Sequence, residues 1–298
     1  MRRIDVKDGG WIVEKRLVEE AERLIEMALE EDGAFNDMTT KLLFPKSKTI
    51  KARVEARQEL LVCGLWTAEI VFRKLSGDIK FEPRKEDCLW AASGEVLAYV
   101  EGDVRAVLGG ERVALNLLSV LCGAATETAR YVRVAQRHEA LVLDTRKTIP
   151  GMRGLLKYAV RVGGGFNHRF SLAERAMVKD NHKAALGGDV RTVSFWRRVY
   201  ERLGDAAQDA VVEVESEEEA VAAAKAGFTH IMLDNIQEDG LWRAVWGARK
   251  HGAKFVEVSG GVRLERLDRI LGSWADGVSV GRLTLGFECA DVALEVDG

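Results

Sequence analysis

From Leu141 onward the chain repeats one grammar, a short apolar run, a polar loop and then a helical pattern, and this repetition restricts the fold more than any other feature. Apolar runs fall at residues 141–143, 176–178, 210–214, 230–233, 255–258 and 277–280. Segments with apolar residues at helical spacing separate the later runs, at 217–226, 240–250 and 263–271. Repeated strand–helix units imply parallel strands joined by right-handed crossovers, hence an open sheet or a barrel. The strand ends decide between them. Polar or small residues close every run: Asp144, Lys179, Glu213 with Glu215, Asp234 with Asn235, Ser259-Gly260-Gly261, and Gly281. In a barrel the carboxyl ends converge on one mouth, so residues scattered over roughly 140 positions share a site. A doubly wound sheet places its site at a switch point behind a glycine-rich first turn, and no G-x-G-x-x-G is present. The spacing therefore predicts an α/β barrel.

Within this part, residues 141–188 concentrate positive charge. Arg146 and Lys147 follow the first strand end, and Arg153, Lys157, Arg161, His168, Arg169, Lys179, His182 and Lys183 come after them. Only Asp144, Glu174 and Asp180 offset these before Gly188, so the cations are not mutually paired along the sequence. They are expected to face an anion with more than one negative group. A solvated basic face is the competing reading. Against it, apolar residues (Leu155, Leu156, Tyr158, Val160, Val162) and Gly163-Gly164-Gly165 interrupt the charges, whereas a surface stripe more often sits on an uninterrupted helix. The window is also a local exception: the 298 residues carry a formal net charge of -3, with pI near 6.1. A nucleic-acid binder relying on bulk charge has a pI above about 9.

Two later elements match an anionic ligand. Ser259-Gly260-Gly261 and Val280-Gly281 each follow a strand and can present backbone N–H groups, a pairing that barrels use for phosphate. Glu213 and Asp234 add hard oxygen ligands suited to Mg²⁺ beside phosphates, or to ribose hydroxyls. Helix-cap or salt-bridge duty is their bland alternative.

The first hundred residues read differently. A helix is expected over 13–29, ending at Asp32-Gly33, with cap chemistry at Asn36 to Thr40. Strands are expected at 50–56, 60–63, 79–81 and 96–100, with a helix over 67–75, which together make a small α+β unit. A long helix or two follows from Gly110 to His138, carrying Arg112 and Asn116 one turn apart. Cys63, Cys88, Cys122 and Cys289 form no C-x-x-C pair, so neither zinc nor a disulfide framework is expected, and a reducing cytoplasm fits. The longest apolar stretch, 113–125, is broken by Asn116 and Ser119 and falls short of about 18 residues, so no membrane segment is expected.

The blocks NDMTT, ERVALNLLSVLCGAAT, DTRKTIPGMR, KYAVRVGGGFNHR, KDNH, VEVES, IMLDN, SGGV and SVG occur in this order. Together they resemble quinolinate phosphoribosyltransferase, the decarboxylating family also called nicotinate-nucleotide pyrophosphorylase, from about Leu29 to Thr284. The resemblance implies an N-terminal α/β sandwich over residues 1–113 joined by 284–298, and an incomplete α/β barrel over 114–283. It implies a homodimer with shared active sites, or a hexamer built from it, and no nucleic-acid or membrane partner. The implied reaction takes quinolinate and phosphoribosyl pyrophosphate, with Mg²⁺, to nicotinate mononucleotide, CO₂ and pyrophosphate. Carried over by position, Arg146, His168, Arg169 and Lys179 match residues around the quinolinate carboxylates, and Arg112 the arginine supplied across the dimer. Lys147 matches a lysine at the reacting centre, and Glu213 and Asp234 the acids around the ribose and its magnesium. Ser259, Gly260, Gly261, Val280 and Gly281 match phosphate-binding positions.

One departure stands out. The family places a histidine shortly after its SVG-like segment, and Leu285 stands there in this chain. Arg282 is the expected replacement; the alternatives are an arginine facing solvent or pairing with Glu288, and a phosphate site rebuilt on Ser259 to Gly261 and Gly281. Two neighbouring readings share the same residues: a molybdenum-locus homologue of this fold acting on another anion, and a barrel lyase using Lys179 as a Schiff base. Asp144 to Thr148 and Lys179 to His182 favour the quinolinate enzyme over the first, and the arginines around Lys179 favour an anion clamp over the second. A non-catalytic polyanion-binding module is a third, which Glu213 and Asp234 oppose by repelling its ligand.

Overall fold

The computed structural model describes residues 14–297, together with the backbone of a short antiparallel pair, Val6–Lys7 with Gly10–Trp11. The chain divides into two compact units. One holds the residues up to Ala129, then Thr148–Gly164, and the chain from Leu283 on; the other holds Arg130–Lys147 and Gly165–Arg282.

In the first unit a four-stranded antiparallel sheet runs in the order Val292–Val296, Thr49–Ala56, Val96–Asp103, Lys80–Pro83. Strand alternation sends Ala52, Val54 and Ala56 to one buried face. Helix Lys15–Glu31 buries Ala21, Ile25 and Leu29, a four-residue spacing that puts them on one stripe. Gly33 closes that helix in the left-handed region at φ 66°, and Asp37 caps the next one by accepting from the Thr39 and Thr40 N–H groups. The long segment expected as one helix or two is a single helix, Val104–Ala135. By length and composition it is apolar enough to cross a membrane, yet 67% of its most apolar window is buried within the protein. Leu115, Leu118 and Leu121 belong to the first unit's core, so the helix is apolar because it is central.

The cation window contains a helix that the sequence analysis treated as interrupted. Arg153–Val162 is continuous, and its Leu155, Leu156 and Ala159 join the same core, with Lys157 fully buried. The apolar residues between its charges are therefore its inner face. Helix Val193–Leu203 was also not anticipated, although Thr192 caps it by accepting from Phe195 N–H.

The second unit is a six-stranded parallel sheet: β1 (Leu141–Leu143), β2 (Met177–Val178), β3 (Val211–Val214), β4 (His230–Asp234), β5 (Phe255–Ser259) and β6 (Gly277–Ser279). The strand order is β1-β6-β5-β4-β3-β2, and Phe166 extends the β1 edge by a parallel bridge to Leu143. Register puts Glu213 opposite Met232, Met232 opposite Glu257, and Glu257 opposite Gly277. With a two-residue period, His230, Met232 and Asp234 share a face with Glu213, Glu257, Ser259 and Ser279. The alternate residues Val212, Val214, Ile231, Leu233, Val256, Val258 and Val278 are buried on the other face. Polar residues on one face and β-branched or leucine residues on the other is the pattern of a barrel that packs helices outside and chemistry inside.

Side-chain contacts prove that the sheet curls. Counting strands, Glu257 lies three spacings from the Phe166 segment and His230 four, so in a flat sheet they would be roughly 14 and 19 Å away. Instead His168, two residues past Phe166, has Nε2 3.5 Å from Glu257 Oε2, and its ring centroid is 6.3 Å from that of His230. Among the described residues no strand pairing joins β2 to the Phe166 edge. The expected incomplete parallel α/β barrel, beside an N-terminal sheet domain, is the observed architecture.

Candidate active site

The carboxyl ends of the strands build the site. Lys179 leaves β2 as the cap of helix Asp180–Leu186, its N–H donating to His182 Nδ1 at 3.0 Å. Its Nζ reaches Glu213 Oε2 on β3 at 2.5 Å. One turn later the buried Lys183 Nζ lies 3.0 Å from Glu219 Oε2 and 3.4 Å from Glu215 Oε2. These cations thus have carboxylate partners after all, supplied by the next βα unit rather than by sequence neighbours.

The arginines differ. Asp144, fully buried at the end of β1, accepts from the His168 N–H at 2.8 Å and from Asn167 Nδ2 at 2.6 Å. It therefore holds the segment that carries Arg169. Burial, and after it the like charge of Arg146, lower the Arg169 guanidinium's pKa. Arg169 Nη1 donates to the Arg175 carbonyl at 2.7 Å, while Arg146 Nε is buried with no hydrogen-bond partner among the described residues. Neither guanidinium pairs with a carboxylate among those residues. Such guanidiniums have the donor geometry to take up a carboxylate or phosphate.

The phosphate-type loops lie at the ends of β4, β5 and β6. Asn235, at φ 55°, donates its N–H to the Ser259 carbonyl at 3.1 Å and its Nδ2 to Asp234 Oδ2 at 2.7 Å. Gly260, at φ 85°, lies so near that an added Cβ would stand 2.3 Å from Asn235 Oδ1 and 2.7 Å from its nitrogen. Only glycine fits there, which binds the β4 and β5 loops together. A Cβ at Gly281 would stand 3.4 Å from Lys147 Cδ, so the lysine chain passes directly over the turn after β6. Val280 is committed to the sheet, its N–H donating to Leu143 at 2.9 Å. Arg282 is exposed on the short 3₁₀ turn Gly281–Leu283, and Leu285 is exposed beyond it. Arg112 is not among the residues gathered in this unit; it stands on helix Val104–Ala135 with its side chain 62% exposed, 3.9 Å from Glu111.

Beneath the mouth lies a group that the sequence analysis missed. Glu257 is fully buried; its Oε2 is 2.9 Å from His230 Nε2 and 3.5 Å from His168 Nε2, and its Oε1 accepts from Ser279 Oγ. Burial alone would raise its pKa, but the His168 and His230 rings facing it outweigh burial and hold the carboxyl well below the usual range. A lone glutamate inside the apolar run FVEVS was the available signal.

Comparison with known proteins identifies the family. Residues 37–122 match the family profile for the quinolinate phosphoribosyl transferase N-terminal domain, and residues 124–295 that for its C-terminal domain. A probable nicotinate-nucleotide pyrophosphorylase (carboxylating) of Bacillus subtilis is 35% identical over 272 residues, covering 89% of this chain and 90% of its own length. The nicotinate-nucleotide pyrophosphorylase (carboxylating) of Mycobacterium leprae is 33% identical, covering 91% and 95%. Among solved structures, the nicotinate-nucleotide pyrophosphorylase from Francisella tularensis superposes with a TM-score of 0.85 at 30% identity, covering all of both chains. Matching profiles across both parts, and relatives of this identity and coverage, make the chain a member of the quinolinate phosphoribosyltransferase family.

Proposed function

We propose that this chain is a pentosyltransferase of the nicotinate-nucleotide pyrophosphorylase (carboxylating) type. It joins quinolinate to the ribosyl group of phosphoribosyl pyrophosphate and releases CO₂, pyrophosphate and nicotinate mononucleotide for NAD biosynthesis. The observation that carries this reading is that Arg146 and Arg169, whose charges oppose one another, meet no carboxylate among the described residues, and that Arg146 Nε is buried without a hydrogen-bond partner there. A pyridine with two adjacent carboxylates has the charge and spacing to satisfy both.

The chemistry needs orientation and charge more than covalent help. The pyridine nitrogen attacks ribose C1 as pyrophosphate leaves, and positive charge grows on the sugar. Glu213 and Asp234, on one face at the ends of adjacent strands, supply negative charge there. Lys179, tied to Glu213, links the ribose side to the carboxylate side. Once the nitrogen is quaternary, its charge stabilises the carbanion left when the neighbouring carboxylate departs as CO₂, while the arginines keep the other carboxylate fixed. Lys147 lies over Gly281, between the reacting centre and the phosphate turns. The Ser259 to Gly261 and Gly281 turns bind the phosphates. The donor chemistry fits Mg²⁺, which keeps several waters and takes one or two carboxylates plus phosphate oxygens. Asp234 would hold the ion, with Glu213 assisting from its lysine pair; the ion's contribution is to neutralise the departing pyrophosphate.

Arg112 enters the site across a homodimer in this reading, hexamers being a further assembly of such pairs. Its exposed side chain and the exposed Met38, Leu42 and Leu43 of the first unit favour a covered surface there. The four cysteines, all free thiols, fit a reducing cytoplasm.

Three outcomes test the reading. With phosphoribosyl pyrophosphate and Mg²⁺, quinolinate should yield nicotinate mononucleotide with stoichiometric CO₂ at a kcat/KM more than about a hundredfold above that for nicotinate, which leaves one guanidinium unmatched. Equal use of both acids rejects the two-carboxylate clamp. Arg282→Ala should raise KM for phosphoribosyl pyrophosphate about tenfold and leave that for quinolinate unchanged, since a guanidinium at this turn replaces the family's histidine. If the phosphorylated substrate's KM does not move, the replacement idea fails. Mixing nearly inactive Arg112→Ala and Lys147→Ala chains under subunit exchange should restore roughly a quarter of full activity, because half the dimers are mixed and carry one intact site of two. Proven exchange without recovery excludes a shared site.

A further inference from the structure

Glu257, His168 and His230 have the composition of a metal centre, and their ligand atoms lie within 4.8 Å of one another, all buried. Proton accounting assigns them another role. His168 Nδ1 accepts the Arg169 backbone N–H at 3.0 Å, and His230 Nδ1 faces Arg175 Nη2, which can only donate, at 3.0 Å. Each neutral imidazole must therefore carry its proton on Nε2, the atom turned toward Glu257. A metal would need both Nε2 atoms bare and both Nδ1 atoms protonated, setting N–H against N–H twice. The carboxylate receives the His230 ring N–H and the Ser279 hydroxyl, and the same Oε2 stands 3.5 Å from His168 Nε2, which makes no hydrogen bond among the described residues and has Glu257 as its facing acceptor.

The two histidines lead to opposite ends of one segment. Through His168 the carboxylate fixes the Arg169 main chain; through His230 it fixes the Arg175 guanidinium, whose Nε also donates to the Asp209 carbonyl. Arg169 Nη1 in turn donates to the Arg175 carbonyl. The Arg169 side chain is thus set from its own backbone and from its tip, and both constraints trace to Glu257. We propose that Glu257 is the positioning residue of the dicarboxylate site, placing the Arg169 guanidinium through two histidines of fixed tautomer without touching substrate. The inference rests on the reading that Arg169 binds quinolinate.

Glu257→Gln keeps the shape but replaces the carboxylate oxygen that both rings face by one oxygen or nitrogen of a neutral amide, so both histidines lose their charged acceptor together. KM for quinolinate should rise about tenfold, with KM for phosphoribosyl pyrophosphate within about twofold of the parent. Ring ¹⁵N NMR should show two Nε2–H histidines in the parent and an altered tautomer or faster proton exchange for both in the variant. As a guard against misfolding of Glu257→Gln, Arg175→Met provides a second cut on the His230 arm alone, with the same KM split expected. Equal loss on both substrates, unchanged quinolinate KM in a folded variant, or Nδ1–H histidines in the parent would overturn the proposal. So would Zn²⁺ binding to the parent that shifts both histidine rings and is lost in Glu257→Gln. If the parent does not use quinolinate at all, the functional reading fails, and the NMR result still judges the Glu257 wiring independently.

Discussion

A single carboxyl group buried in the middle of β5 is the constraint on which the rest of this barrel depends. An unpaired charge buried there would be prohibitive, so the fold must bring it donors, and the donors come from distant parts of the sheet. His230 lies on the neighbouring strand, Ser279 on the other side, and His168 beyond the far edge. Satisfying Glu257 and curling the sheet are therefore one requirement seen twice. The first is electrostatic and the second geometric.

That frame determines where positive charge gathers at the mouth. Lysines find partners locally in three dimensions: Lys179 with Glu213, and Lys183 between Glu215 and Glu219. Arg146 and Arg169 meet no carboxylate among the described residues, and in the proposed reading the cost of keeping them so is offset by a substrate with two carboxylates. Glycine is required at the loop after β5. At Gly260 the backbone of β5 and the side chain of Asn235 occupy the space a Cβ would need.

Much of this was legible along the chain, for a physical reason. In strands the side-chain period is two, so a run such as IMLDN or VEVES shows which residues share a face and which sit at the carboxyl end. Lys179, Glu213, Asp234, Ser259 and Gly281 were found that way. Periodicity failed at Arg153–Val162, where an amphipathic helix buries a lysine and its inner face looked like interruption. It failed for the pairings too. Lys179 and Glu213 are 34 positions apart, and His230 and Glu257 27, so their contacts exist only once the strands are side by side. The role of Glu257 was hidden because a lone acid in an apolar run declares that partners are needed but not where they are.

Equilibrium binding of ring acids, without the second substrate, addresses the clamp itself. Calorimetric titration should find phthalate, two adjacent carboxylates with no ring nitrogen, bound more than about tenfold tighter than benzoate, and the advantage lost in Arg146→Ala. Equal affinity for the two acids, or an advantage that survives Arg146→Ala, would contradict the claim that paired guanidiniums define this site.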